Sequence, residues 1–333
     1  MISVICPIYN EESRIEDCIQ SIVNQDYPHN EMEVLFVDGM STDRTRDIVM
    51  EYSRQYPFIR LLDNPMHTAP VALNTGIRAA QGNIIVRLDA HSKYPTDYFS
   101  VLVSKLQNSD ADNVGGVCNT LPAKETSICR AIAHAMSSSF GMGNSHFRVG
   151  VEHEMWVDTV PFGCFHRTIF DKIGYFDEEL VRNQDDEFNG RIIQNGGKIL
   201  LLPQVVVDYF ARTSISKTAK MFYQYGLFKP LVNKKLKKPT TLRQFFPPLF
   251  LAGLVVGGLL SFFSSTLMWI YLSVLILYIL IGLLAGVRCT HRLSDILWMP
   301  IVFAAIHCSY GFGYWEGIVK VLMHGKISVQ SNH

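Results

Sequence analysis

Three long apolar runs in the C-terminal third of the sequence constrain the fold more than any other feature. Residues 245–263, 266–287 and 296–315 contain no Asp, Glu, Lys or Arg. A helix of about 20 apolar residues crosses the hydrocarbon core of a bilayer, and the second run reaches that length by itself. A buried core helix is the alternative for a single run, but three in succession predict about three transmembrane helices within residues 246–322.

The segment before these runs, residues 229–245, is basic and contains no acidic residue. Its positive charges are Lys229, Lys234, Lys235, Lys237, Lys238 and Arg243. Basic residues beside a membrane span mark the cytoplasmic side, and they also attract anionic headgroups. Arg288 and Arg292, after the second run, favour the same orientation. We therefore predict a multi-pass protein of the cell (inner or plasma) membrane, with membrane lipids as partners and a cytoplasmic N-terminal domain.

Residues 1–228 have the pattern of a soluble α/β domain. Short apolar, largely β-branched runs alternate with helical patterns, and the runs lie at residues 2–6, 32–37, 58–62 and 84–86. This alternation predicts a parallel, doubly wound sheet, which binds ligands outside the carboxyl ends of its strands. The predicted organisation is a domain at 1–228, a juxtamembrane segment at 229–245, a membrane region at 246–322 and a tail at 323–333.

Two potential metal ligands, Asp89 and His91, follow the apolar run 84–86. If the strand geometry lasts that far, alternation sends both side chains to the same side. A carboxylate and an imidazole could there hold a divalent ion against a diphosphate. The alternative is an aspartate that caps the next turn, followed by a histidine in solvent. Polar motifs at the ends of the neighbouring strands favour the metal site.

Four motifs occur in order at a spacing that fits the strands: Pro-Ile-Tyr-Asn-Glu at 7–11, Val-Asp-Gly-Met-Ser-Thr-Asp-Arg-Thr at 37–45, Asn-Thr-Gly at 74–76 and Leu-Asp-Ala-His at 88–91. Together they resemble the nucleotide-sugar half of a family 2 glycosyltransferase with the GT-A fold. The resemblance implies a nucleoside diphosphate sugar as donor, with a UDP-sugar favoured. The residues it implies at the donor are Pro7, Tyr9, Glu11, Asp38, Ser41, Asn74 and Asp89.

The resemblance also implies a divalent metal cofactor, Mn²⁺ or Mg²⁺. Asp89 matches the first residue of the family's Asp-x-Asp motif, and His91 stands where a second aspartate is usual. A neutral imidazole is a good ligand for Mn²⁺ and is less suited to Mg²⁺. His91 is therefore the residue on which the metal preference is expected to depend.

A run of three acids, Asp185, Asp186 and Glu187, opens a predicted helix in the second half of the domain. One interpretation is compensation of the helix dipole together with capping. The other is a general base, which takes the proton of an acceptor hydroxyl as the new bond forms. Gln-Asp-Asp-Glu at 184–187 resembles the family's Glu-Asp-x-Asp/Glu motif, which implies Asp185 as the base and Glu187 as its close companion. Asp186 remains an alternative base.

Two further features near the predicted site carry hypotheses. Arg212 and Lys217 are candidates to clamp a diphosphate or an anionic lipid acceptor, because cationic side chains bind phosphate oxygens. Residues 137–149 are rich in Ser and Gly and show no regular pattern. This segment is either a mobile loop that closes over the site or a disordered crossover.

The resemblance extends over residues 1–230 and is greatest to the glycosyltransferases of succinoglycan-type exopolysaccharide biosynthesis. It implies a membrane-anchored, inverting, metal-dependent hexosyltransferase that acts on a polyprenyl-linked glycan acceptor. A processive polysaccharide synthase is one alternative, although Gln-Tyr-Gly at 224–226 does not continue into the Gln-x-x-Arg-Trp motif of such enzymes. A catalytically silent scaffold that binds nucleotide sugars is the other.

The remaining composition excludes several kinds of site. The seven cysteines are scattered without Cys-x-x-Cys spacing, so we expect free thiols and neither disulfides nor a zinc site. The formal net charge is zero, and no nucleic-acid partner is expected.

Overall fold

The computed structural model describes residues 1–323 and residue 327. These residues form two compact units. Within the described residues, the first comprises Met1–Asn119 and Gly150–Tyr209, and the second comprises Thr120–Val149 and residues 210–323. The division differs from the predicted boundary at residue 228, because residues 120–149 and 210–228 pack with the C-terminal helices. Most of the predicted tail lies outside the described residues.

The first unit begins with four strands that alternate with three helices: β1 (Ile2–Ile8), α1 (Ile15–Val23), β2 (Met32–Asp38), α2 (Thr45–Gln55), β3 (Ile59–Asp63), α3 (Ala69–Ala79) and β4 (Ile84–Arg87). The strand β1 runs parallel to β2 and β4, and β3 runs parallel to β2 on its other side. Every residue of β2 is buried, as in sheets that helices cover on both faces. The carboxyl ends of these strands therefore meet at one edge of the sheet.

The next part of the chain completes the sheet. In chain order it forms β5 (Ser92–Lys93), α4 (Tyr98–Gln107), β6 (Asn113–Leu121), α5 (Ser127–Ser137), α6 (Ser139–Met142), α7 (His146–Val149), β7 (Met155–Trp156), β8 (Cys164–His166), α8 (Thr168–Ile173), α9 (Gln184–Gln194) and β9 (Ile199–Phe210). Among the described residues the sheet has nine strands in the order β3-β2-β1-β4-β8-β6-β9-β5, with β7 paired to β9. Because β8 is antiparallel to β4 and β6, the sheet is mixed, and the parallel prediction holds for β1–β4.

The strand β9 is continuous through Pro203, although proline usually interrupts a strand. Its two short partners are well separated, since β7 pairs with residues 200–201 and β5 pairs with residues 208–209. Pro203 lies between these pairings, where its missing N–H removes no hydrogen bond to either partner. The strand therefore continues through the proline.

The second unit is helical. After α5–α7 it contains α10 (Ile215–Leu236), a 3₁₀ turn at Leu242–Phe245, α11 (Phe246–Leu260), α12 (Ser265–Cys289) and α13 (Leu293–Leu322). Three stretches are long and apolar enough to cross a membrane, namely Leu242–Leu260, Ser265–Cys289 and Leu293–Leu322. They correspond to the three predicted spans. Many apolar side chains of α12 are exposed, including Trp269 and Leu284, as expected for a surface that faces lipid.

Glycines bring α10 and α13 into backbone contact. A Cβ atom added at Gly313 would lie 2.1 Å from the carbonyl oxygen of Tyr223, and one at Gly226 would lie 2.1 Å from that of Tyr310. Small residues permit such close approach between helices. The Tyr223 hydroxyl also donates a 2.6 Å hydrogen bond to Glu316. The helix α10 therefore packs directly against one of the apolar spans.

Residues 137–149 contain the short helices α6 and α7, so the expectation of an irregular segment is wrong. Phe140 packs edge-on against Phe303 of α13, with 4.9 Å between ring centroids. The carbonyl oxygen of Phe140 lies 3.0 Å from Nε2 of His307 in α13. The hydroxyl oxygen of Tyr278 in α12 lies 2.9 Å from Nδ1 of the same ring. The segment is fixed by the apolar helices, which a sequence pattern cannot reveal.

Candidate active site

The turn after β2 is organised by Asp38. Its side chain is fully buried, and it accepts hydrogen bonds from the amide of Ser41 at 3.0 Å and from the hydroxyl of Ser41 at 2.5 Å. Arg46 donates to the same carboxylate at 2.6 Å and pairs with Asp63 at 2.9 Å. Asp38 and Ser41 are thus brought together as predicted, and the carboxylate holds the turn at the carboxyl edge of the sheet.

The loop after β1 is tied to this turn. The amide of Asn10 donates to the Ser41 hydroxyl at 2.9 Å, and the amide of Glu11 donates to the Thr45 hydroxyl at 2.8 Å. Pro7 lies at the end of β1 opposite Val37 of β2. These contacts fix the backbone of the segment that contains the predicted donor residues Pro7 and Glu11.

Tyr9, another predicted donor residue, lies beside His67, which was not among the predicted site residues. The rings of Tyr9 and His67 meet edge to face at 6.3 Å, and Nδ1 of His67 lies 2.6 Å from the carbonyl oxygen of Gly39. His67 has a positive φ of 57°, a conformation that is uncommon for residues other than glycine. The aromatic pair therefore borders the turn that follows β2.

Asp89 and His91 follow β4 in a turn that Tyr94 holds. The Asp89 amide donates to the Tyr94 hydroxyl at 2.8 Å, and this hydroxyl donates to the Asp89 carbonyl at 3.1 Å. Nδ1 of His91 lies 3.4 Å from a carboxylate oxygen of Glu11, and its ring is 5.7 Å from that of Tyr209. Glu11, predicted at the donor, and His91, predicted as a metal ligand, are therefore neighbours.

No group of three or more His, Cys, Asp or Glu side chains in the described part of the chain is arranged to hold a metal ion. A site on Asp89 and His91 would need oxygens from a ligand or water to complete the coordination. That requirement fits a divalent ion bound together with a diphosphate, because Mn²⁺ and Mg²⁺ accept oxygen ligands from phosphates and water.

Arg87, the last residue of β4, links the two predicted halves of the site. Its guanidinium pairs with Oδ2 of Asp185 through one terminal nitrogen and with Oδ1 of Asp89 through the other, at 3.1 Å. Burial opposes the charge on Arg87, but Asp185 and Asp89 raise its pKa above the ordinary value, so it stays charged. Sequence reasoning missed Arg87, although an arginine inside a buried β-branched run, two residues before Asp89, points to the same side of the strand.

The acidic run opens α9 as predicted. Asn183 precedes the helix with a positive φ of 62°, and Asp185, Asp186 and Glu187 all lie in its first turn. The side chain of Asp185 is 31% exposed, so one part of it is accessible to a substrate hydroxyl while the rest is enclosed by the protein. Burial raises the pKa of Asp185, the Arg87 guanidinium opposes this rise, and Asp89 adds to it.

Glu187 has a different environment from Asp185. It is only 3% exposed, and both of its carboxylate oxygens accept from Arg191, at 2.7 and 2.9 Å. Arg191 in turn donates to the carbonyls of Ile173 and Tyr175. Glu187 therefore anchors α9 to the preceding loop, and its role as the companion of the base in the same turn stays a prediction. Asp186 is half-buried in the same turn.

Asn74 also uses its polar atoms within the protein. It is 1% exposed, donates to the carbonyl of Phe176 and to Glu178, each at 2.9 Å, and accepts from the amide of Phe176 at 3.0 Å. These bonds join α3 to the segment that leads to α9.

Arg212 belongs to the second unit, and its contact with a diphosphate stays a prediction.

The sequence matches the profile described as Glycosyl transferase family 2 over residues 3–174. It is 28% identical over 332 residues to the dolichyl N-acetyl-alpha-D-glucosaminyl phosphate 3-beta-D-2,3-diacetamido-2,3-dideoxy-beta-D-glucuronosyltransferase of Methanococcus voltae, covering 96% of this chain and 97% of that protein. It is 29% identical over 261 residues to the succinoglycan biosynthesis protein ExoA of Rhizobium meliloti, covering 78% and 77% of the two chains.

Solved structures share the fold. The mannosyltransferase PcManGT of Pyrobaculum calidifontis, solved with GDP-Man and Mn²⁺, superposes with a TM-score of 0.60 at 19% identity, covering 97% of this chain and 87% of that one. TarS of S. aureus, solved with UDP, superposes with a TM-score of 0.53 at 16% identity, covering 99% and 94% of the two chains. At these identities the likeness concerns the fold, which is the predicted GT-A fold.

Proposed function

The chain belongs to glycosyl transferase family 2 and is a glycosyltransferase that uses a nucleotide-sugar donor, and we propose that it glycosylates a lipid-linked glycan at a membrane. The acceptor class is supported by the Methanococcus voltae relative, whose name specifies a dolichyl phosphate sugar. It is also supported by three helices that are long and apolar enough to cross a membrane. The basic segment 229–245 favours a cytoplasmic catalytic unit.

One observation carries the assignment of the reacting groups: Arg87 joins Asp89 and Asp185 at a single edge of the sheet. The two carboxylates come from motifs with different expected roles, one at the donor diphosphate and one at the acceptor. Their shared cation holds both carboxylates within hydrogen-bond reach of one guanidinium group. We therefore assign Asp185 as the general base and retain Asp186 as the alternative.

The proposed reaction is a single displacement with inversion. The acceptor hydroxyl oxygen bonds to the anomeric carbon, while the bond from that carbon to the diphosphate oxygen breaks. The electron pair leaves with the nucleoside diphosphate, and the hydroxyl proton passes to Asp185. An in-line approach from the side of Asp185 reverses the anomeric configuration of the donor sugar.

Asp89 and His91 are proposed to hold a divalent ion at the donor diphosphate. When bound, such an ion supplies positive charge to the leaving group. The carboxylate and imidazole ligands favour Mn²⁺ over Mg²⁺, and the nearby Glu11 carboxylate is suited to orient the imidazole through its 3.4 Å contact with Nδ1.

The donor nucleotide is proposed to lie against the loops after β1 and β2, with a UDP-sugar favoured. Pro7, Tyr9 and Glu11 would form one wall, and the turn held by Asp38 and Ser41 would form the other. Asp38 contributes by shaping this turn, since its carboxylate already accepts hydrogen bonds from Ser41 and Arg46. Asn74 contributes by holding the segment at Phe176.

The test is a transfer assay with the full chain in detergent. UDP- and GDP-sugars are offered with polyprenyl diphosphate sugars in the presence of Mn²⁺, and the linkage in the product is determined by NMR. We expect a product whose new anomeric bond is opposite to that of the donor, with one nucleoside diphosphate released per transfer. A product with retained configuration would contradict the single displacement, and polymer formation would favour a processive synthase.

A further inference from the structure

Arg87 is a buried charge in a strand that is otherwise apolar. The preceding residues of β4, Ile84, Ile85 and Val86, are buried, and the Arg87 side chain is 9% exposed. Its amide donates to the carbonyl of Gly163 at 2.9 Å, so the backbone is fixed. A buried guanidinium is costly unless hydrogen-bonded anions compensate it. Here the compensation comes from Asp89 and Asp185, the two carboxylates assigned to donor and base.

The surroundings of Arg87 restrict its guanidinium to these two partners. Its Nε is buried and has no hydrogen bond among the described residues. The ring of Phe162 lies 5.8 Å from the guanidinium carbon, within the range of a cation–π contact. Phe162 is itself held in an uncommon conformation with φ of 48°, and its carbonyl accepts a 3.1 Å hydrogen bond from the buried Tyr98 hydroxyl.

The pairing with Arg87 engages one oxygen of the proposed base. Oδ2 of Asp185 accepts from Arg87, and Oδ1 has no hydrogen-bond partner among the residues that the structure describes. A carboxylate fixed through one oxygen keeps the other in a defined direction for proton transfer. The second terminal nitrogen of Arg87 meets Asp89, so the donor turn and the base share one rigid support.

We infer that Arg87 is a positioning residue of the transfer reaction: it fixes Asp185 through Oδ2, leaves Oδ1 to take the acceptor proton, and sets this base relative to the donor turn through Asp89. The inference rests on the proposed function. Only a planar fork can bond both carboxylates at once, because lysine presents a single point charge on a flexible stem. Arg87→Lys therefore keeps the charge but loses the geometry.

The test compares Arg87→Lys and Arg87→Gln with the wild-type chain in detergent. We expect kcat to fall at least tenfold in Arg87→Lys and further in Arg87→Gln. In Arg87→Lys the donor KM and the Kd of UDP with Mn²⁺, measured by calorimetry, should stay within about threefold of wild type. Arg60→Lys is the matched control. Arg60 on β3 pairs with Glu33 on β2 at 3.1 Å, away from the site, so the kcat of Arg60→Lys should be unchanged.

A purely structural role would lower the melting temperature without separating kcat from donor affinity. Arg87→Lys retains the positive charge, so it should fold more normally than Arg87→Gln. If Arg87→Gln is unstable, the kinetics of Arg87→Lys alone test the inference. Wild-type kcat in Arg87→Lys, or a loss confined to donor affinity, would overturn the inference. Asp185→Asn, measured in parallel, reports on the proposed base: an inactive Asp185→Asn beside a fully active Arg87→Lys refutes only the role of Arg87.

Discussion

At the scale of single residues, the environment of Asp185 determines when the proposed base can act. The carboxylate must be ionised to accept a proton. Burial raises its pKa above the ordinary 3.8, against the opposing effect of Arg87. As the pH falls through this raised pKa, the protonated and inactive fraction grows. We therefore expect kcat to decline on the acidic side at a higher pH than an ordinary aspartate would give, in a pH–rate profile at saturating donor and Mn²⁺.

Protons also compete with a metal ion for its ligands, so the control is the same profile in His91→Asp. An acidic limb that persists in this variant belongs to the base. A limb that disappears would assign the decline to the metal site and contradict the role of Asp185.

His91 is expected to set the metal preference. Replacing imidazole by carboxylate supplies the oxygen ligand that Mg²⁺ prefers. His91→Asp should therefore raise the ratio of Mg²⁺-supported to Mn²⁺-supported turnover severalfold, which metal titrations of initial rates will measure. Asp89→Ala is the matched control and should lose metal-dependent UDP binding with both ions. An unchanged metal ratio in His91→Asp would remove His91 from the site.

Sequence motifs predicted which residues form the site and at which edge of the sheet they lie. They did not predict which carboxylate oxygens already accept hydrogen bonds within the protein. Asp89 and Asp185 pair with different terminal nitrogens of one guanidinium, which belongs to a residue that no motif indicated. The position of Arg87 beside Asp89 could be read from the strand pattern, but its pairing with Asp185 could not, because Asp185 is 98 positions away in the chain. Asn74 and Glu187 match family motifs, yet Asn74 bonds to Phe176 and Glu187 bonds to Arg191. Only the folded chain reveals these contacts.

At the scale of elements, the contact of α10 with α13 depends on glycine. A Cβ at Gly313 would meet the Tyr223 carbonyl at 2.1 Å, and a backbone oxygen cannot move aside as a side chain can. Gly313→Ala should therefore destabilise the protein by about 1–3 kcal/mol, the range for overpacked positions, and lower its melting temperature in detergent. Gly253→Ala is the matched control, because its Cβ would meet nothing within 4 Å. Equal melting temperatures for both variants would contradict the contact.

The elements that could be predicted are those whose pattern reflects local burial. The strands β1, β2 and β4 and the three apolar helices follow from runs of hydrophobic residues alone. The continuity of β9 through Pro203 depends on where β5 and β7 happen to pair. Likewise α6 packs against α13, more than 150 positions later, so a Ser- and Gly-rich segment that looked irregular is ordered by tertiary contacts.

At the scale of the whole molecule, the basic segment 229–245 predicts which ends of the spans face the cytoplasm. Phe262 is 87% exposed in the turn between α11 and α12, and it should face the opposite side from Lys238. In intact cells a membrane-impermeant thiol reagent should label Phe262→Cys, and it should label Lys238→Cys only after permeabilisation. The wild-type chain is the background control, and the reverse labelling pattern would invert the proposed topology.

The division into two units has a practical consequence for anyone who wants a soluble catalytic fragment. A chain truncated after residue 228 would keep α5 and α6 but remove α13, which they pack against. Phe140 would lose its contact with Phe303, and buried apolar residues of α5 such as Ile132 and Met136 would gain contact with water. Such a fragment should aggregate, so excision of this enzyme from its membrane requires redesign of the helical surface as well as a shorter chain.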